Sequence, residues 1–273
     1  MKTLKTDNMY KNNTNITINE LLKEDKKVIS FLGAHQSGTS FLVNNVARIM
    51  AGRNIDVAIL DITKNKDSYY IYTQNKESIR VSIRDSFKDL SEGKLNGIQI
   101  GENLTVYTDV PGKNEYSAKV ETILETLLKR HKVVIIDADF STETDYFLYS
   151  EQVYLVQTMD VLTIQPLTEF LSKLKSKNAI NNDKIRIVLN KFMNFDEVTI
   201  GRLIGGLAFY NDPSMTYMQQ IFEKNGAKYT TISYNQQAYE NYIQDVANCQ
   251  FTTNYSIEFR KELESLTDDV IKG

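Results

Sequence analysis

The sequence predicts an α/β fold in which a doubly wound, mostly parallel sheet carries helices on both faces. Short apolar runs alternate along the chain with segments of helical periodicity, which is the pattern of successive βαβ units. Several of these runs lack polar alternation, which indicates strands that are covered on both sides. The 273 residues include only 12 Gly and 3 Pro, too few for a linker-rich or low-complexity chain.

The first βαβ unit is predicted near the N-terminus. One apolar run ends at Gly33, the helical spacing after it ends at Gly52, and a second apolar run ends at Asp61. Glycine is a common stop just past a helix C-terminus. In order, the predicted elements are a capped helix over 17–25, a strand over 27–32, a loop over 33–40, a helix over 40–52 and a strand over 56–60.

The alternation continues through the chain. Pro166 suits the first turn of a helix, and the run 133–136 has no polar alternation. We predict strands over 105–108, 133–136, 152–156, 185–189 and 229–232, and helices over 82–90, 115–130, 167–176, 197–205 and 214–225, followed by closing helices.

The chain has no convincing domain boundary and no internal repeat. Residues 1–15 are polar and rich in Asn and Lys, which predicts a disordered lead. We expect residues 16–273 to form a single α/β domain, a length that can bury a sizeable core. Segment 256–272 spaces apolar residues as a helix does, and we expect it to pack on the domain or on a partner.

Composition restricts the class of function. A net charge of −3 gives no strong signal for nucleic acid. The single cysteine, Cys249, excludes an internal disulfide and fits a reducing compartment. No stretch approaches the ~20 apolar residues of a membrane span, and the N-terminal residues lack the apolar core of a signal peptide. We therefore expect a cytoplasmic protein without a membrane helix.

The loop after the first strand carries the main chemical signal. Residues 33–40 read GAHQSGTS, in register with the Walker A pattern G-x-x-x-x-G-K-[ST] except that Thr39 replaces the lysine. Backbone N–H groups of such a loop converge on a phosphate, and the following helix adds partial positive charge. The alternative is an ordinary turn whose hydroxyls cap the helix. The candidate phosphate-binding residues are Gly33, Ser37, Gly38, Thr39 and Ser40.

Five motifs in order resemble the ParA/MinD-like family of P-loop ATPases, whose deviant Walker A loop reads G-K-G-G-x-G-K-T. The similarity spans roughly residues 27–245 and implies a P-loop NTPase-like fold. Besides the loop, the matching motifs are a strand that ends in Asp61, an apolar strand that ends in Asp137, a strand that ends in Asn190, and the segment ISYN at 232–235, similar to the family's IPYD.

The resemblance implies ATP or ADP with Mg²⁺ as the cofactor. Ser40 and Asp137 would then be the metal ligands, and Asn190 would hydrogen-bond an adenine edge. An alternative for Asp61 and Asp137 is that carboxylates at strand ends cap neighbouring helices. An alternative for Asn190 is a turn residue at a strand end.

The departures from the family pattern concern the chemistry. Ala34 and Thr39 occupy the positions of the two loop lysines, and Thr63 that of a carboxylate which helps to orient the attacking water. Phosphoryl transfer depends on such charges, so we predict no catalytic residues and a degenerate family member. By resemblance to atypical members found with pilus and secretion machineries, it would regulate, position or scaffold an assembly through protein partners, with a homodimer as a possible state.

Two other functions stay open at this point. One is an active ATPase whose phosphate ligands are unconventional, with Lys64, Lys66 and Lys191 as the nearest candidate cations. The other is a protein-interaction module that binds no nucleotide and uses the fold only as a platform.

Overall fold

The computed structural model describes residues 17–73, 76–112, 119–160, 163–196, 200 and 228–273. Within them, eight strands form one sheet in the order β3-β4-β2-β5-β1-β6-β7-β8. The strands are β1 (Lys27–Gly33), β2 (Val57–Asp61), β3 (Ile98–Gln99), β4 (Leu104–Tyr107), β5 (Val133–Ala138), β6 (Gln152–Gln157), β7 (Ile185–Phe192) and β8 (Tyr229–Ser233). The helices are α1 (Ile18–Lys23), α2 (Thr39–Gly52), α3 (Asp67–Tyr72), α4 (Glu77–Ser82), α5 (Ser86–Ser91), α6 (Val120–Arg130), α7 (Asp145–Tyr149), α8 (Ile164–Ser176), α9 (Gln236–Ala247) and α10 (Ile257–Lys272).

The sheet is parallel apart from the antiparallel pair formed by β3 and β4. Strand β1 lies in the middle, between β5 and β6, and the non-consecutive order of neighbours requires crossover connections. Every residue of β2, β5 and β6 is buried, because a parallel sheet of this kind is covered on both faces. The predicted fold class is confirmed.

Successive residues of the central strands enter two separate cores. Ile29 and Phe31 of β1 pack with the layer that contains α2 and α10. Val28 and Leu32 face the opposite layer, which contains α6 and α8. This division follows from the period of two in a β-strand, where neighbouring side chains point to opposite faces.

The C-terminal helix α10 completes the α2 layer. Its apolar side chains Phe259, Leu263, Leu266 and Val270 are buried, and α10 contacts both α2 and β8. Packing on the domain is therefore confirmed for segment 256–272. No helix in the described part of the chain is long and apolar enough to span a membrane.

Two predicted helices differ from those observed. The segment predicted as one helix over 82–90 contains the last residue of α4, a turn over 83–85 and most of α5. Ile83 is buried in the α2 layer and Phe87 in the opposite layer, so one straight helix could not place both side chains. Helix α8 begins at Ile164, before the predicted start at 167. Pro166 lies in its first turn, where a backbone N–H has no intrahelical acceptor.

Other predictions are confirmed or fall outside the described residues. Thr17 begins α1, and its backbone N–H donates to Glu20 Oε2 at 2.8 Å in a capping box. The described part of the helix predicted over 115–130 begins at Val120. The disordered lead over 1–15 and the helices over 197–205 and 214–225 lie outside the described residues, apart from single positions.

The buried side chain of His131 makes the stability of the fold depend on pH. It is 2% exposed, its Nδ1 lies 2.7 Å from Asp56 Oδ1, and its Nε2 lies 3.0 Å from the Tyr107 hydroxyl. Burial lowers the pKa of His131, although Asp56 opposes the change. As the pH falls through about 6.5, the unfolded chain binds a proton that the folded chain does not, so stability falls.

We expect His131→Gln to lose less unfolding free energy than the wild type between pH 7 and pH 5. Urea denaturation at the two pH values measures this. His35→Gln is the control, because the chain has two histidines and His35 is exposed. An unchanged pH dependence in His131→Gln would contradict the prediction.

Candidate functional site

A cavity of about 710 Å³ opens at the carboxyl edge of the sheet. Gly33 at the end of β1, Asp137 in β5, Asn190 in β7 and Ser233 at the end of β8 all line it. This is where an open α/β sheet places its ligand, and the volume is in the range of small-molecule and cofactor sites.

The loop between β1 and α2 forms one wall of the cavity. Gly38 is the N-cap residue of α2 and has a φ of +85°. Gln36 also adopts a positive φ, +64°, which is uncommon for a residue with a side chain. Thr39 and Ser40 begin the helix and line the cavity. The first backbone N–H groups of a helix lack intrahelical partners, so this turn can bind an anion.

Thr39 turns back onto its own loop. Its Oγ1 lies 2.9 Å from Ser37 Oγ, and both side chains are buried. The two hydroxyls therefore bond to each other, and no side chain caps α2. The alternative in which Ser37 or Thr39 caps the helix is wrong. Where the Walker A pattern has a lysine, the loop has a short side chain bonded within the loop.

Asn190, which lies in β7, bonds to the loop between β1 and α2. Its Nδ2 donates to the Ser37 backbone oxygen at 2.8 Å. A Cβ at Gly38 would lie 2.3 Å from that Nδ2, so Gly38 is required by the close approach as well as by its φ. Asn190 is buried and lines the cavity. Its predicted hydrogen bond to an adenine edge stays a prediction.

Asp61 and Asp137 lie side by side in register on β2 and β5 but differ in their partners. Asp61 is fully buried and accepts four hydrogen bonds, from the backbone of Thr63 and Ser68 and from the hydroxyls of Thr63 and Thr108. It organises the loop after β2 and bonds the first turn of α3, as the capping alternative proposed.

Asp137 is 0% exposed, and neither carboxylate oxygen has a hydrogen-bond partner of normal geometry in the described chain. Burial, and then the charge of Asp61, raise the pKa of Asp137 well above its ordinary value, which the nearby Ser40 hydroxyl opposes. A buried carboxylate without a partner is costly. A cation at this position would remove the cost, so the residues present fit Mg²⁺.

Two further acidic residues at the site were not predicted. Asp67 at the start of α3 and Asp139 after β5 both line the cavity. Burial and the charge of Asp61 raise the pKa of Asp67, and a hydrogen bond from Ser40 opposes the rise. No motif marks Asp67, because only the path of the loop after β2 brings it to Ser40.

Among the described residues, no three His, Cys, Asp or Glu side chains are arranged as a metal site. This does not conflict with the fit at Asp137, because Mg²⁺ is usually bound by one or two carboxylates together with phosphate oxygens and water. In such a site, Ser40 and Asp137 would supply only the protein's share of the ligands.

The three positions that depart from the family pattern carry no charge in the site. Ala34 lines the cavity with a methyl group. The Thr63 hydroxyl donates to Asp61 Oδ1 at 2.7 Å. Thr39 bonds to Ser37. None of these side chains presents a cation or a carboxylate to the cavity.

The three lysines named as candidate phosphate ligands differ in their contacts and exposure. Lys66 Nζ donates to the Asp61 backbone oxygen at 3.0 Å and lies over the Phe87 ring. Lys64 lines the cavity but is exposed. Lys191 lines the cavity, is half-buried, and lies across the loop.

Gly33→Ala tests the close packing under the loop. A Cβ at Gly33 would lie 2.2 Å from Thr39 Oγ1 and 2.3 Å from Ser37 Oγ. We expect Gly33→Ala to lower the free energy of unfolding by about 1–3 kcal/mol through overpacking. Gly52→Ala in α2 is the control, since a Cβ there meets no atom within 4 Å and alanine favours helix by up to about 1 kcal/mol. Equal stability of the two variants by chemical denaturation would contradict this.

Substitution of Asp137 and of Asp61 by asparagine is expected to change the free energy of unfolding in opposite directions. Without ligand at pH 7, Asp137→Asn should raise the free energy of unfolding by about 1 kcal/mol, because it removes a buried, unpartnered carboxylate. Asp61→Asn should lower it by about 1–3 kcal/mol, because its amide donors would face existing donors. Urea midpoints measure both, and destabilisation by Asp137→Asn would refute our account of its environment.

No protein-family model and no curated protein matches the sequence. Solved structures do match the fold. A protein described as a plasmid partition protein from Borrelia burgdorferi B31, bound to AMPPNP, has a TM-score of 0.62 at 16% identity, with coverage of 90% of this chain and 99% of that one.

Two MinD structures are also similar. MinD in the MinC:MinD complex of Aquifex aeolicus has a TM-score of 0.61 at 12% identity, covering 90% of this chain and 96% of that one. MinD from Pyrococcus horikoshii with Mg-ADP has a TM-score of 0.58 at 11% identity, with coverage of 90% and 96%. The chain therefore shares its fold with these plasmid partition and MinD structures.

Proposed function

We propose that this chain is a ParA/MinD-type positioning or scaffolding protein that binds an adenine nucleotide with Mg²⁺ but does not catalyse multiple turnovers. The observation that carries the proposal is the contrast within one cavity. The loop and the unpartnered Asp137 suit a phosphate and a cation, whereas Thr39 occupies the lysine position and bonds to Ser37.

Nucleotide binding is supported by the chemistry of the cavity wall. The backbone N–H groups of Gly38, Thr39 and Ser40 would hold phosphate oxygens, and Ser40 and Asp137 would hold Mg²⁺. The metal, when bound, neutralises phosphate charge. Structures of the same fold are bound to AMPPNP and to Mg-ADP.

The absence of turnover is supported by what the site lacks. Stabilisation of the transferred phosphoryl group depends on positioned charge. By analogy, loss of one hydrogen-bond donor from an oxyanion hole costs about 2.7–4 kcal/mol of barrier. Ala34, Thr39 and Thr63 replace three such groups. We therefore propose a degenerate member that uses nucleotide as a structural ligand.

Exposed side chains at the rim of the cavity support the proposal that the chain binds protein partners. Tyr234, Tyr239 and Ile243 line it and are largely exposed, as is Tyr70 beside it. Exposed apolar patches next to a ligand site often serve interaction. We propose that the partners belong to a cytoplasmic assembly, such as a pilus or secretion machinery, and that a homodimer is the form that binds them. A structural neighbour is itself in complex with a protein, MinC.

A thermal-shift and turnover experiment tests this function. At 100 times its dissociation constant, ADP with Mg²⁺ should stabilise the wild type by about 2.7 kcal/mol. Asp137→Asn should lose the Mg²⁺-dependent part of the shift. Asp183→Asn, an exposed carboxylate outside the cavity, is the control and should behave as the wild type.

Phosphate release from ATP is measured on the same samples. We expect less than one turnover per chain. Multiple turnovers that Asp137→Asn abolishes would overturn the pseudo-enzyme proposal in favour of an active ATPase. No thermal shift with any nucleotide would favour an interaction module that binds none.

A further inference from the structure

Lys191 reaches the loop because of an irregularity in β7. The pairing of β7 with β8 shifts register between Leu189 and Phe192, and Lys191 has a φ of +55°. A bulge of this kind redirects a side chain and is frequent beside active sites. Here it sends the Lys191 side chain across the cavity wall, where Nζ donates to the Gln36 backbone oxygen at 3.0 Å.

Among the described residues, no carboxylate compensates the charge of the Lys191 ammonium. Its described contacts are the Gln36 carbonyl and the Tyr239 ring, whose centroid is 5.5 Å from Nζ. No described carboxylate forms an ion pair with it. Burial also lowers the pKa of Lys191. A half-buried cation without a counter-charge, in the wall of a cavity, favours an anionic ligand.

The remaining lysines near the loop do not have this arrangement. Lys66 is engaged with the Asp61 backbone oxygen and the Phe87 ring, and it does not line the cavity. Lys64 is exposed, and its backbone N–H donates to Asp139 Oδ2 at 2.7 Å. Lys191 alone of these three is both half-buried and directed onto the loop.

We propose that Lys191 is the ligand-positioning cation of this site and that it contacts a phosphate oxygen of a nucleoside di- or triphosphate. It supplies from β7 the charge that Thr39 cannot supply from the loop. The nature of the nucleotide rests on the proposed function, whereas the recognition of a polyphosphate chain rests on the position of Lys191.

The test compares three variants by titration calorimetry in low and high salt. Lys191→Gln removes the charge but keeps a donor for the Gln36 carbonyl, and Lys191→Arg keeps the charge. Lys184→Gln is a matched control. Like Lys191, Lys184 is half-buried, its pKa is lowered by burial, and its Nζ donates to a backbone oxygen, that of Leu148 at 3.2 Å. It lies outside the cavity. The probes are ADP, adenosine and inorganic tripolyphosphate, each titrated in the presence of Mg²⁺.

We expect Lys191→Gln to bind ADP and tripolyphosphate about tenfold more weakly, a change of about 1.4 kcal/mol, with a smaller dependence on salt. Adenosine binding should not change. Lys191→Arg should stay within about threefold of the wild type, since a charge-assisted contact is retained, and Lys184→Gln should match the wild type.

The other outcomes separate the two proposals. Equal weakening of ADP and adenosine by Lys191→Gln, or no weakening of ADP, would overturn the role of Lys191 and leave the proposed function standing. Binding of tripolyphosphate that depends on Lys191, without binding of ADP, would support Lys191 and overturn the nucleotide function. A wild type that binds neither would overturn both.

Discussion

The parallel pairing of β1 between β5 and β6 is the constraint on which the site depends. These strands are covered on both faces, so their apolar residues enter the two cores and their polar groups collect where the strands end. Parallel strands all end at one edge. The loop after β1, Asp137 of β5 and Asn190 of β7 therefore meet around one cavity, although more than 150 residues separate the first from the last.

At the carboxyl edge of the sheet, the described carboxylates around the cavity outnumber the half-buried cations, and this excess of negative charge restricts which ligands can bind. Asp61, Asp67 and Asp139 all act on Asp137 through their charges, and Lys191 is a half-buried cation that faces the same space. A phosphate entering alone would meet repulsion from the carboxylates. A divalent cation carried with the phosphate reduces that repulsion and is itself attracted to the carboxylates, which is why the proposed binding is tied to Mg²⁺.

Contacts within the loop and contacts from β7 hold the loop between β1 and α2 in shape. Its backbone is held from within by the Ser37–Thr39 bond and from β7 by Asn190 and Lys191, which bond the oxygens of Ser37 and Gln36. Two non-glycine residues with a positive φ, Gln36 and Lys191, lie at this contact. Such conformations persist where surrounding contacts over-determine them, and they are frequent at functional sites.

The sequence by itself determined the fold class, most of the strands along the chain and the position of the loop, because periodicity and strand-end residues are local properties. The order of strands within the sheet and the antiparallel strand β3 came only from the structure. The sequence also named Gly33, Gly38, Ser40 and Asp137 as candidate site residues, and the structure places all four around one cavity. Only the tertiary structure distinguished Asp61, which accepts hydrogen bonds from its own loop, from Asp137, whose carboxylate has no hydrogen-bond partner of normal geometry among the described residues. It alone brought Asp67 to Ser40 and Lys191 to Gln36, because hydrogen-bond partners and burial depend on segments distant in sequence that pack together only in the folded chain.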